Sequence, residues 1–237
     1  MSEVFDRPYP QEAGIIRVLQ ERPRVPIGQA ANFLYVTAAV YELLWRKRSV
    51  GLISGGSFST KRELGLMLEW LRPNPDDRVL DAACSAGLYA RTLLKHDPSL
   101  DVHAVDFSLP FLKKAKQYAQ RDNVSPTLVH ADASALPYED NSFDALVCGG
   151  SLNEFVDVPQ VLDEFARVLK PNSRMWQMYA AKAKSPPGKL LQSALGLSGI
   201  RFIEPETLES QAEEAGFTLK RAQYRGGIGM ALFELRG

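Results

Sequence analysis

The chain has 237 residues, 45% of them hydrophobic and 24% charged, with 28 Lys+Arg against 28 Asp+Glu and a formal net charge of +0. This length fits one α/β domain with a modest extension, large enough to bury a core without staples. The charge balance argues against a nucleic-acid partner, because gripping a phosphate backbone is mainly electrostatic. Two cysteines, Cys84 and Cys148, cannot make a disulfide framework and point to a reducing, cytoplasmic setting. Glu3 and Asp6 stand where a secretory leader would carry bases, and no apolar run reaches the roughly 18 residues of a membrane span.

In chain order, Pro8, Pro10, Pro23 and Pro26 forbid one long helix at the start. Residues 29–45 then read as a helix with an apolar, aromatic surface that carries Tyr35, Tyr41 and Trp45. After the Ser54-Gly55-Gly56-Ser57 loop, Ser59 or Thr60 caps a helix running to about Leu71, with Glu63 placed as a capping-box acid for Thr60. From Arg78 a strand–helix rhythm begins. Residues 78–81, 102–106, 126–130, 143–148 and 175–179 read as strands, and 87–94, 110–119 and 161–169 as helices. Pro186-Pro187-Gly188 opens an insertion with a short apolar helix over 189–197. A helix at 207–215 is stopped by Gly216, and strands at 217–224 and 228–235 are separated only by Arg225-Gly226-Gly227, which makes them antiparallel. The expected fold is Rossmann-like α/β: a seven-stranded, mostly parallel sheet with helices on both faces, an antiparallel C-terminal hairpin and an N-terminal helical extension. Residues 1–60 read as a helical lid that selects the substrate, and 61–237 as a single cofactor-binding unit.

The first strand runs into Asp81-Ala82-Ala83-Cys84-Ser85-Ala86-Gly87, a turn of small residues that lets a ligand approach the backbone. A turn for NAD would read G-x-G-x-x-G, and Asp81 would repel a pyrophosphate while suiting an ammonium. The second strand ends in Asp106, which can accept from both hydroxyls of a ribose or cap the next helix. The third strand is followed by Asp132, which can accept from an adenine amino group or close a turn. Each acid alone suits a turn or a cap, but three at three successive strand tips, all on the ligand edge of a parallel sheet, are much harder to dismiss as that.

These stretches, together with Ala131-Asp132-Ala133-Ser134-Ala135-Leu136-Pro137-Tyr138, Ser142-Phe143-Asp144-Ala145-Leu146-Val147, Val168-Leu169-Lys170-Pro171 and the closing Pro205-Glu206-Thr207-Leu208 and Glu214-Ala215-Gly216-Phe217, resemble the class I S-adenosylmethionine-dependent methyltransferases. The resemblance is greatest to the ubiquinone and menaquinone biosynthesis branch, from about Arg78 to the C-terminus. It implies that Asp81 and the turn through Ala83, Ser85 and Gly87 hold the methionine part of S-adenosylmethionine. Asp106 takes the ribose, Phe107 packs beside the adenine, Asp132 and the Ala133 amide read its edge, and Gly149 lies under the sulfonium. The family's turn carries three alternating glycines, and here the first two are Ala83 and Ser85.

The implied activity is methyl transfer by direct displacement to a small, apolar or aromatic acceptor. In the stretch after the fourth strand, Glu154 is the candidate base and Asn153 a candidate substrate contact; Tyr35, Tyr41 and Trp45 are the others. His96, His103 and His130 read as structural, and no His/Cys spacing suits a metal. Ala83 and Ser85 leave open a second reading, a non-catalytic S-adenosylmethionine-binding sensor or scaffold.

Overall fold

The computed structural model describes residues 4–19, 56, 58–183, 188–190, 192–193 and 201–237. The helix expected over 29–45, with Tyr35, Tyr41 and Trp45, lies outside the described residues, as does most of the insertion. The elements are β1 (Gln11–Glu12), β2 (Ile15–Arg17), α1 (Thr60–Leu71), β3 (Arg78–Ala82), α2 (Leu88–His96), β4 (Asp101–Asp106), α3 (Leu109–Arg121), β5 (Thr127–His130), β6 (Phe143–Gly149), α4 (Val158–Val168), β7 (Leu169–Ala180), α5 (Pro205–Glu214), β8 (Phe217–Arg225) and β9 (Ile228–Leu235).

The strands form one sheet in the order β1-β2-β5-β4-β3-β6-β7-β9-β8. Strands β2 to β7 are parallel, while β9 runs antiparallel between β7 and β8. From β3 the chain steps outward through β4 and β5, then returns to place β6 on the other side of β3. That reversal opens a crevice at the carboxyl ends of β3, β4 and β6, the place where such sheets bind ligands.

The sheet has nine strands among the described residues, not the expected seven. The addition falls inside the segment read as a helical extension. Ala13 and Gly14, at φ 50° and 76°, make a two-residue turn with both φ values positive, which suits the twist of a hairpin. Ile15, Ile16 and Arg17 then pair with Leu128, Val129 and His130. The β-branched pair Ile15-Ile16 favours a strand, and Ile15 is almost fully buried.

Three helix ends correct the sequence reading. Ser59, not Thr60, caps α1 by accepting from the Arg62 amide at 3.3 Å. Glu63 is therefore one residue past the capping-box position, and its buried carboxylate accepts from the Tyr89 hydroxyl instead. Helix α4 starts at Val158, ahead of the expected 161, because Asp157 caps the Gln160 amide at 3.0 Å and Pro159 is preset for a first turn. Strand β7 leaves α4 directly at Leu169, with Asn172 in the left-handed region at φ 64° and a register shift between Phe143 and Ala145 on β6.

Alternation along the strands divides the core. Val79, Val147, Trp176 and Met230 face α1, α2 and α3 through Met67, Leu93 and Leu112. Leu80, Leu146, Met175 and Phe233 face α4 and α5 through Phe165 and Leu208. Each such side chain, fully buried, contributes roughly 1.5–3 kcal/mol.

Candidate active site

The turn after β3 sets the site's shape. Ala83, Ser85 and Gly87 all lie in the left-handed region, at φ 54°, 48° and 71°. The alternating pattern therefore survives in the backbone although two of the three positions carry a side chain. The turn is held from within by the Gly87 amide donating to Cys84 O at 2.8 Å, and from β4 by Cys84 N donating to Val105 O at 2.9 Å. The Cys84 thiol is buried, and burial followed by the charges of Asp81 and Asp106 pushes its pKa well up, so it is an inert filler.

Asp106 ends β4 and is 4% exposed. One carboxylate oxygen accepts the Ser85 amide at 2.7 Å and the other accepts the Ser108 amide at 2.8 Å. Burial outweighs these two amides and, with some help from the charge of Glu154, pushes Asp106 up to about 7. Asp81 is fully buried, and one of its oxygens accepts the Ala90 amide at 2.9 Å, in the first turn of α2. The half-buried Asp132 accepts both the amide and the hydroxyl of Ser134, at 2.9 and 2.8 Å, which fixes the turn that buries Ala133.

On the other side of the crevice β6 ends at Gly149. A Cβ there would run into the ring and hydroxyl of Tyr89. Gly150, at φ 84°, donates its amide to Met178 O at 2.7 Å, and Ser151 donates its hydroxyl to Ala83 O at 3.2 Å. The loop after β6 is thereby tied to both β7 and the β3 turn. Asn153 is buried, and its amide serves the backbone: Nδ2 donates to Ala180 O at 2.8 Å and to Arg201 O, and Oδ1 accepts Ala180 N at 2.8 Å. Glu154 is exposed on the same loop.

The fold thus gathers Asp81, Ala83, Ser85, Gly87, Asp106, Phe107 and Gly149 at the tips of three adjacent strands, with Asp132 and Ala133 after the next and Asn153 and Glu154 on the facing loop. The sequence reading left Tyr89 unassigned, took Glu63 as a capping-box acid and took His130 as structural. His130 ends β5 and its Nε2 donates to Phe107 O at 3.1 Å, which positions the residue assigned to the adenine. Tyr89 sits two residues past Gly87, a spacing that puts it in the first turn of a helix aimed at the site. Among the described residues no group of three or more His, Cys, Asp or Glu could hold a metal ion, and no helix is long and apolar enough to cross a membrane.

The residues present fit S-adenosylmethionine: the close-approach turn keeps its left-handed backbone, carboxylates stand at or just past successive strand tips, and β6 ends without a side chain. The order β5-β4-β3-β6-β7-β9-β8, with β9 antiparallel second from that edge and a crevice of this kind, is the class I methyltransferase architecture, here extended at the other edge by β2 and the antiparallel β1. A sequence profile described as "Methyltransferase domain" matches residues 80–176. The chain is 30% identical over 221 residues to a demethylmenaquinone methyltransferase of Deinococcus radiodurans, covering 84% of this chain and 88% of that one. It is 39% identical over 112 residues to a 2-phytyl-1,4-naphtoquinone methyltransferase of Trichormus variabilis, where the match spans 46% of this chain and about half, 49%, of that one. Geranyl diphosphate C-methyltransferase of Streptomyces coelicolor A3(2) shares the fold at TM-score 0.65 and 13% identity, over 75% of this chain and 76% of that one. The chain belongs to the class I S-adenosylmethionine-dependent methyltransferases, in the branch of the ubiquinone and menaquinone biosynthesis enzymes.

Proposed function

We propose that the protein transfers a methyl group from S-adenosylmethionine to a small apolar aromatic acceptor of the isoprenoid-quinone kind, in its reduced, phenolic form. The observation that supports this most is the match to the Deinococcus demethylmenaquinone methyltransferase, which runs through the whole site and most of both chains. The alternative of a binding-only protein rested on Ala83 and Ser85, and their left-handed backbone gives it no support.

The donor supplies an activated methyl group on a sulfonium whose sulfur leaves with the bond pair. The chain's part is to bind, orient and exclude water. Asp81 and the turn from Ala83 to Gly87 would take the amino-acid end, Asp106 the ribose hydroxyls, and Asp132 with the Ala133 amide the adenine edge. Phe107, its carbonyl fixed by His130, would pack beside the base. Orientation of two reactants at near-contact distance can supply roughly 7–11 kcal/mol of the barrier. A phenolic acceptor also needs a group for its proton, and Glu154, exposed on the loop that closes the site, is the residue we assign to it. Tyr35, Tyr41, Trp45 and Asn153 remain our candidates for the acceptor pocket, Asn153 with its amide committed to the Ala180 and Arg201 backbone.

The test is incubation of the full chain with a methyl-labelled donor and a reduced demethylmenaquinone, followed by mass spectrometry of the quinone. Label in the quinone supports the reading. A protein that binds the donor but labels no reduced naphthoquinone or benzoquinone refutes the acceptor class.

A further inference from the structure

The formal net charge of +0 hides a separation of charge across the sheet. Helices α1, α2 and α3 cover one face, and α4 and α5 cover the other. The first three helices carry eight Lys and Arg residues against two Glu, and one of those two, Glu63, is buried. Within their bounds α2 and α3 have no carboxylate at all. The two helices of the opposite face carry six Asp and Glu against one Arg, and Asp163, Glu209, Glu213 and Glu214 are exposed.

The cationic face is itself uneven. At the end of α2 and α3 away from the crevice, Asp122 takes ion pairs from Arg91 at 2.6 Å and Lys95 at 2.8 Å, with Arg121 at 3.4 Å. Asp97 and Asp101 lie at the same end. At the crevice end the charges are not balanced in this way. Helix α1 starts there, since Glu63 in its first turn meets Tyr89 at the tip of β6. Helix α3 starts there too, just past the tip of β4. Lys61, Arg62 and Lys113 are exposed in the first two turns of these helices, and Lys114 is half-buried with its ammonium 4.9 Å from the Tyr118 ring. The carboxylates set among these helix starts, Asp81, Asp106 and Glu63, are buried, and the exposed Glu154 belongs to the facing loop after β6.

The sheet and its two helix layers keep the charged faces roughly 20 Å apart, about two helix diameters, which exceeds the Debye length of about 8–10 Å at physiological ionic strength. An approaching surface therefore feels one face and not the net charge. We propose that the crevice end of α1 and α3 docks the protein on an anionic lipid bilayer, with the acidic face turned to solvent. This rests on the reading above that the acceptor is an isoprenoid quinone, whose apolar tail keeps it in the membrane. Docking on this end brings the rim of the crevice to the headgroups, so the acceptor reaches the donor without crossing water. Each Lys or Arg near such a surface favours binding by about fivefold. The exposed large apolar residues among the described set, Val156, Leu190 and Tyr224, are not on these helices, so the contact is electrostatic and reversible by salt. A second copy of the chain could also match cationic face to acidic face, but that contact is head-to-tail and leaves both ends open. A nucleic acid would offer phosphates as well, but the aromatic residues of these helices are buried and give a base nothing to stack on.

Co-sedimentation of the full chain with vesicles tests this without turnover. The protein should sediment with phosphatidylglycerol vesicles at low salt, come off as salt rises past about 0.15 M, and stay in solution with phosphatidylcholine vesicles. Lys61→Glu combined with Lys113→Glu should weaken the partition at least about tenfold. Lys220→Glu with Arg236→Glu, the same change of net charge elsewhere on the surface, should weaken it less than about threefold. Affinity for S-adenosylhomocysteine should stay within about twofold in both pairs, which shows that they fold; Lys61→Gln with Lys113→Gln replaces the first pair if it does not. Methylation of an acceptor held in phosphatidylglycerol vesicles should fall with vesicle binding, and methylation of the same acceptor in neutral detergent micelles should not. Equal binding to phosphatidylcholine, no binding to phosphatidylglycerol, or equal losses in the two pairs overturns the docking surface. So does a wild-type chain that retains duplex DNA, or associates with itself, in preference to the vesicles at the same salt. Vesicle binding by the cationic end with no methylated quinone supports the docking surface and refutes the acceptor, so the two failures are told apart.

Discussion

The Ser85 amide donates to the Asp106 carboxylate at 2.7 Å, joining the turn that leaves β3 to the tip of β4. Asp106 thus does two things. It shapes the close-approach turn before any ligand arrives, and it is the residue we propose for the ribose hydroxyls. The two amides it satisfies give this strand-tip acid a part in the fold itself. Asp106→Ala leaves both without this acceptor. It should lower stability by about 1–3 kcal/mol and weaken S-adenosylhomocysteine about tenfold or more. Urea unfolding and calorimetry on the same preparation check the two effects separately.

The protonation of Asp106 adds a pH signature. Burial raises it from its ordinary range to about 7 in the folded chain. Between the unfolded value near about 4 and the folded value, the native state holds the extra proton. Its contribution to stability is therefore complete below about pH 4 and is lost as pH rises through 7. Relative to Asp106→Asn, which does not titrate there, the ligand-free wild type should lose stability steadily between pH 4 and 8. A constant difference across that range would show that burial does not shift this carboxyl.

Much of this was legible because strands and helices alternate with short connections, and because acids at or just past strand tips stand out against mostly apolar strands such as Val102 to Val105, in which His103 is the one polar residue. The losses have local causes. Glu63 lies three residues from Thr60 and four from Ser59, and only the choice of cap tells a capping-box acid from a buried one. The β1–β2 hairpin turns on Ala13, which carries none of the usual signal of a turn needing positive φ, although its φ is 50°. The contacts of Tyr89 could not be read from the chain because they reach Gly149, sixty residues on, and Glu63 on a separate helix.

The left-handed turn makes a prediction of its own. A residue with a Cβ in this region costs about 1–2 kcal/mol, partly repaid by the lower freedom of its unfolded chain. Ala83→Gly and Ser85→Gly should each stabilise the protein by about 1 kcal/mol, raising Tm by roughly 2–4 °C. Gly87→Ala should do the opposite, because a Cβ at φ 71° would also lie 3.1 Å from the Ala115 Cβ. Thermal scans of the three variants give the ranking directly.

Substitution of Asn153 should separate binding from turnover. Its amide holds both Ala180 backbone groups and the Arg201 carbonyl, and Glu154 is the next residue on the same loop. Asn153→Ala should release that loop from β7. Cofactor affinity should stay within about twofold, a change of under 1 kcal/mol, because the turn after β3 is held independently. Turnover should fall at least tenfold, because a small misplacement of a reacting group is expensive in rate. Equal losses in affinity and turnover would assign the loop to the cofactor instead.

Gly149 and Tyr89 should be energetically coupled. Gly149→Ala places a methyl group in the space of the Tyr89 ring and hydroxyl, with Trp176 behind the ring and Glu63 beyond the hydroxyl. Neither neighbour lets the ring retreat without breaking the Glu63 bond or moving the strand tip, so the substitution should cost about 1–3 kcal/mol, the usual range for overpacking. Tyr89→Ala alone should cost about 3 kcal/mol or more through the cavity it opens. In the double variant the methyl group meets no ring, and the overpacking cost disappears. The sum of the single losses should therefore exceed the double loss by at least 1 kcal/mol, roughly the lower end of couplings seen between residues in contact. Urea unfolding of the four proteins measures this. Additivity within about 0.5 kcal/mol would mean that Tyr89 does not rest against Gly149 in solution, and the aromatic wall at the tip of β6 would have to be redrawn.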